Sequence, residues 1–333
     1  MDHALALQNS TVSVSVSDGL SFGTLTAATL GGLEGNNNLD LTNESAGTVA
    51  LTMGANSANT TYFGNLESSG SIIKTGDGTL TLAGTNTFSG GTTINSGTRR
   101  ARPASLTGNI LNQASLVFHE GGGTYAGTID GTGTLEITGG DPTLSGANTH
   151  TSDTTLTAGT LTLGNTLALQ NSTLTHASSG NLSFGALTAA TLGGLSGDQD
   201  LAVALTIGNN DADTTYSGIV SGAGSRIKTG SGNLSLSGTN TYVGGTLTMG
   251  SALALESGNT SVGTGAVLDS AAFGFDLTKI AGAGTLNGIF GLAQNGNDLN
   301  VTYTISAVPE PASFALFFGL FAVGFATTRR RSR

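Results

Sequence analysis

The chain repeats itself, and the spacing of the repeat changes once along its length. LALQNST at Leu5–Thr11 returns at Leu167–Thr173, LSFG at Leu20–Gly23 returns at Leu182–Gly185, and AATLGGL at Ala27–Leu33 returns at Ala189–Leu195, all 162 residues apart. Further on, KTGDGTLTLAGTNTFSGGT from Lys74 matches KTGSGNLSLSGTNTYVGGT from Lys228, now 154 residues apart. The drop predicts an eight-residue deletion in the second copy, of the kind a surface loop tolerates. A third start, LALESGN, opens at Leu253, and a worn copy runs on from Tyr125. Self-similarity of this kind restricts the fold to arrays of like units.

Inside each copy the pattern has period two. Leu80 and Leu82 alternate with Thr79 and Thr81, and Leu135/Ile137, Leu161/Leu163 and Leu234/Leu236 repeat this. Such runs bounded by Gly and Asn are half-buried strands, and no useful helical periodicity precedes residue 312. Strand following strand leaves an antiparallel sandwich, a propeller or a β-solenoid. A parallel β-solenoid fits best, because one unit has too little apolar area to be stable alone and stacking joins the Leu, Ile and Val rows into one core. The pairs Gly90-Gly91 and Gly244-Gly245 suit tight corners. Asn86, Asn148 and Asn240 are placed to stack as a ladder. About 20 residues per coil and a rise near 4.8 Å give roughly 15 coils and a rod of about 70 Å.

Composition excludes some partners. Charged residues are only 10% of the chain, against about 25% in ordinary domains. The regular placement of apolar residues argues against disorder. Residues 1–311 carry 21 acidic and 7 basic groups, a net of −14, so there is no electrostatic footprint for nucleic acid. Cysteine is absent, so packing must supply the stability. The start has no basic n-region and no apolar core, and the first Lys or Arg is Lys74; an export signal is therefore expected upstream of residue 1.

The stretch IKTGDGTLTLAGTNTFSGGTTINSGT at Ile73–Thr98 resembles the autotransporter-associated β-strand repeat, also called the passenger-associated transport repeat. Lys74, Gly76, Gly78, Leu80, Leu82, Asn86, Phe88 and Gly90 fill that pattern, as do Lys228, Gly230, Gly232, Leu234, Leu236, Asn240, Tyr242 and Gly244. Clear copies lie near 60–98 and 214–250, and a degenerate one near 123–160 has His150 in place of the aromatic. The resemblance implies a right-handed β-helical surface passenger over residues 1–305, without catalytic residues or cofactors. It departs at the C-terminal end, where alternating barrel strands with aromatic girdles would follow in an autotransporter.

Residues 306–333 have a different composition. Seventeen uncharged residues, Ala312–Thr328, make about 25 Å of helix, near the lower limit for crossing a bilayer. Arg329, Arg330, Arg331 and Arg333 follow and would stay on the cytoplasmic side. A single C-terminal transmembrane helix is therefore expected after the solenoid. Motif 308–313 (VPEPAS), apolar helix 312–328 and basic tail 329–333 resemble, in that order, the PEP-CTERM sorting signal. The resemblance implies an exosortase partner, for which Pro309, Glu310 and Pro311 are substrate residues. It also implies a transient inner-membrane anchor before release to the cell surface or matrix.

Candidates for chemistry are few. His3, His119, His150 and His176 show no ligand spacing and are expected as exposed turn or strand residues. Asp198-x-Asp200 and Asp211-x-Asp213 are expected as turn acids rather than cation ligands. Gly76-Asp77-Gly78 is followed by no helix that could bind phosphate. Asp77 and Glu67 become Ser231 and Ser221 in the second copy. That leaves a structural or adhesive surface protein, meeting like rods or extracellular polysaccharide, with a polysaccharide-binding or polysaccharide-degrading β-helix as the alternative.

Overall fold

In the computed structural model, residues 1–238 are described except 177–178, 203 and 223–225; beyond them only the strands at 241–242, 246–249, 253–255, 267–268, 288–295 and 298–305 are. Two compact units are present: Met1–Phe273 with Gly296–Asp298, and Gly274–Asn295 with Leu299–Arg333. The described residues of the second are 288–295 and 299–305, from the paired strands Gly288–Asn295 and Asp298–Ile305.

The first unit is a parallel β-solenoid. Thr79–Leu82 reads half-buried, buried, half-buried, buried, as its alternation requires. Each strand pairs in parallel with the strand about one coil on: Thr98 lies beside Thr79, Ser115 beside Thr98, and Thr134 beside Ser115. Inward residues thereby form columns. One runs Leu51, Ile72, Thr92, Ile110, Ile129. Another runs Leu80, Arg99, Leu116, Leu135, Thr154, Leu174. Every member of both is buried.

The eight-residue difference between the copies has a definite place. Ala27 pairs with Ala50, and its counterpart Ala189 pairs with Ala204. Residues 42–49 of the first copy therefore have no equivalent in the second. They form an excursion closed by an antiparallel bridge between Thr42 and Thr48, where Asn43 N–H donates to the Gly47 carbonyl at 2.9 Å.

Some expectations are corrected. His150 and His176 are not exposed but buried inside the coils, at 1% and 2% exposure. His150 occupies the slot of Phe88: the His150 N–H donates to Ile129 as the Phe88 N–H donates to Leu66. Asn86 and Asn148 form no side-chain ladder; each bridges the backbones of two neighbouring coils instead. Of the first Gly pair, Gly91 has positive φ, +81°. No α-helix occurs among the described residues, so none there is long and apolar enough to cross a membrane. The expected transmembrane helix, motif 308–313 and the tail through Arg333 lie outside the described residues.

Candidate functional site

Two places in the solenoid concentrate polar side chains, the repeat corner and an outer groove.

The corner is built around Lys74. The strand Ser71–Lys74 turns its last side chain inward, and its ammonium donates to the carbonyls of Thr75 at 2.7 Å, Gly76 at 2.6 Å and Ser96 at 3.2 Å. Burial lowers the Lys74 pKa, and nearby Asp77 opposes the shift. Gly76 has φ +66°, and a Cβ there would run into the Gly54 carbonyl. The corner recurs at Lys228, whose ammonium donates to Thr229 at 2.5 Å and Gly230 at 3.3 Å. The lysine thus satisfies carbonyls that the turn removes from the strand ladder.

Asn86 secures the next turn. Its Oδ1 accepts from the Leu66 N–H at 2.9 Å, and its Nδ2 donates to the Ser105 carbonyl at 3.4 Å. Asn148 repeats this between Ile129 N–H, at 2.8 Å, and Ala168 carbonyl, at 2.9 Å. Phe88 fills the core beside Asn86. The residues of the sequence pattern are thus structural: ammonium, amide and aromatic each tie one coil to its neighbours.

Residues 72–98 and 227–247 match the passenger-associated-transport-repeat model. The chain carries that repeat twice. The first match contains Lys74 with its partners Thr75, Gly76 and Ser96, and Asn86 but not the Leu66 and Ser105 that it joins; the second begins one residue before Lys228. No curated protein and no solved structure matches the chain.

The groove lies on the outside, where the second 162-spaced copy stacks on the coil before it. It encloses about 640 Å3. One wall is Thr134 and Thr151–Asp153; the other is Asn209–Ala212, with Asn171 and Thr173 on the floor. The far wall is braced from below. Asn210 Nδ2 donates to Thr173 Oγ1 at 2.8 Å, and Asn209 Nδ2 donates to the Gln170 carbonyl and to Asn171 Oδ1, both at 3.0 Å. The first copy has the same brace, from Asn56 Nδ2 to Thr11 Oγ1 at 3.0 Å.

The expected turn acids hold backbone. Asp211 Oδ1 accepts from Ser231 N–H and Asp213 Oδ1 from Asn233 N–H, both at 2.6 Å, and Asp200 Oδ1 accepts from Ile219 N–H at 3.0 Å. Ser231 holds the Asp211 carboxyl below the usual carboxylate range. Among the described residues no group of three or more His, Asp or Glu gathers as a metal site. Sequence reasoning missed Asp153 and Asn209 as groove residues. The signal existed, since Ala55 and Ser57 of the first copy become Asn209 and Asp211 in the second, but the facing wall emerges only when coils stack.

Proposed function

We propose that this is an exported bacterial surface or extracellular-matrix protein of structural or adhesive role, delivered through its C-terminal segment by an exosortase. The observation that carries export is the twice-used repeat corner: a passenger-associated-transport repeat whose lysine, asparagine and aromatic all build a parallel solenoid. A passenger of that kind is a scaffold, and the reading assigns it no reaction. Sorting is supported by Pro309, Glu310 and Pro311, the apolar run 312–328, and Arg329, Arg330, Arg331 and Arg333. The helix would hold the protein in the inner membrane until the exosortase acts near the proline motif.

Fractionating cells with and without the exosortase tests the sorting step. Loss of the enzyme should leave a longer, membrane-bound form, and replacing Pro309-Glu310-Pro311 by alanines should do the same. An identical mass and location in all three strains would overturn it.

A further inference from the structure

The groove between the copies is lined by hydroxyls, amides and two carboxylates. That lining rules out several ligand classes. Ala212 is its only apolar side chain, so there is no surface to drive binding of an apolar molecule. It contains no Lys or Arg, so a phosphate, a nucleic acid or an acidic polysaccharide would meet the carboxylates of Asp153 and Asp211 with no cation in the lining. What remains is a ligand that both donates and accepts hydrogen bonds repeatedly and is neutral or positive.

The groove also has direction. Thr134, Asp153 and Thr173 stand on successive coils, because Thr134 lies beside Ser115, Thr154 beside Leu135 and Leu174 beside Thr154. Their polar groups therefore recur at about the 4.8 Å strand spacing, which suits an extended chain of repeating units more than a compact molecule. The Thr151 hydroxyl and the Asp153 carboxylate have no protein partner among the described residues, and both residues are exposed. Asn209, by contrast, is fixed by its two hydrogen bonds. Free groups on one wall thus face a rigid amide wall, which lowers the ordering cost of binding.

We infer that this groove binds an extended polysaccharide strand of neutral or amino-bearing sugars. Asp153 and Thr151 would meet sugar hydroxyls or ammonium groups, and Asn209 and Asp211 would line the opposite side. The Ser231 N–H donates to Asp211 Oδ1 at 2.6 Å, which holds this carboxylate in place as an acceptor for the ligand's donors. This specifies the adhesive role proposed above but does not depend on exosortase sorting, so the two ideas fail separately.

Titration calorimetry on the full chain tests it with three hexamers: glucosamine, the neutral β-1,4-glucose oligomer, and galacturonate. The glucosamine and glucose hexamers should saturate at millimolar concentration and galacturonate should not. The exposed double variant Asp153→Ala/Asn209→Ala should weaken binding at least about tenfold, with an unchanged circular dichroism spectrum. Asp141→Ala, at an exposed position outside the groove, should leave binding as it is. Three results would each overturn the inference: no saturation by either non-acidic hexamer, galacturonate binding as well as they do, or full binding by the double variant. If the double variant loses its spectrum, Thr151→Ala replaces it and should weaken binding severalfold; unchanged binding there overturns the inference too.

Discussion

The Lys74 ammonium donates to the Gly76 carbonyl at 2.6 Å, two residues further along the same turn. A side chain so close to its own backbone fixes the corner locally, while its bond to Ser96 reaches the next coil. The turn and the stacking contact share one cation, so a change at Lys74 should be felt in both.

Lys74→Met should cost about 2–3 kcal/mol, since the fully buried side chain leaves carbonyls of Thr75, Gly76 and Ser96 without their charged donor. Gly76→Ala should be at least as harmful, because φ is +66° and the added Cβ meets the Gly54 carbonyl. Urea midpoints of the two variants check this. A midpoint within error of the parent for Lys74→Met would remove the corner's claimed role.

Arg99 predicts the opposite sign. It lies inside the coil between Leu80 and Leu116, at 0% exposure. Nη1 reaches Thr92 Oγ1 at 3.4 Å, while Nε and Nη2 lack partners. Burial lowers its pKa to about 10. In the second copy Leu253 takes this register, beside Leu234. Arg99→Leu should therefore raise stability by about 1–3 kcal/mol, because it removes a desolvated charge. A lower thermal midpoint for this variant would contradict the account.

His150 predicts acid sensitivity. Burial lowers its pKa from 6.5 to about 4, so on acidification the unfolded chain takes up the proton first. Stability should fall as pH drops from about 6.5 to about 4, by about 3 kcal/mol in total, and then stop falling on this account. Burial lowers the His176 pKa as well, so His150→Phe, which restores the residue found at Phe88, should reduce the slope without removing it. Urea unfolding across that pH range gives the comparison.

Deleting residues 42–49, so that Leu41 joins Ala50, should leave a folded solenoid. The second copy makes this junction naturally. The loss should be about 2 kcal/mol, from the buried Val49 side chain. An unfolded product would contradict the equivalence of the two junctions.

Period-two alternation and the 162- and 154-residue offsets determined the strands, the inward leucines and the place of the missing loop. These are local or self-referential signals: a side chain's face follows from its parity, and two copies of one text must fold alike. At His150 and His176 polarity points to exposure, yet both are buried. Parity outweighed it: both sit at inward positions, where hydrogen bonds to Thr154 Oγ1 and to the Gly180 carbonyl make burial tolerable.

Other features needed the third dimension. Asn86 is one conserved-looking letter of a repeat in the sequence; only stacking shows it joining Leu66 to Ser105. Lys74 is likewise a letter of the repeat pattern until the turn brings its ammonium onto the carbonyls of Thr75, Gly76 and Ser96. The groove is the clearest case, since Asp153 and Asn209 belong to different copies and line it from separate coils. Sequence by itself determined which side of each strand faces inward, because that depends on neighbours along the chain. Tertiary structure alone decided which polar groups meet, because register between coils sets the distance between residues remote in sequence.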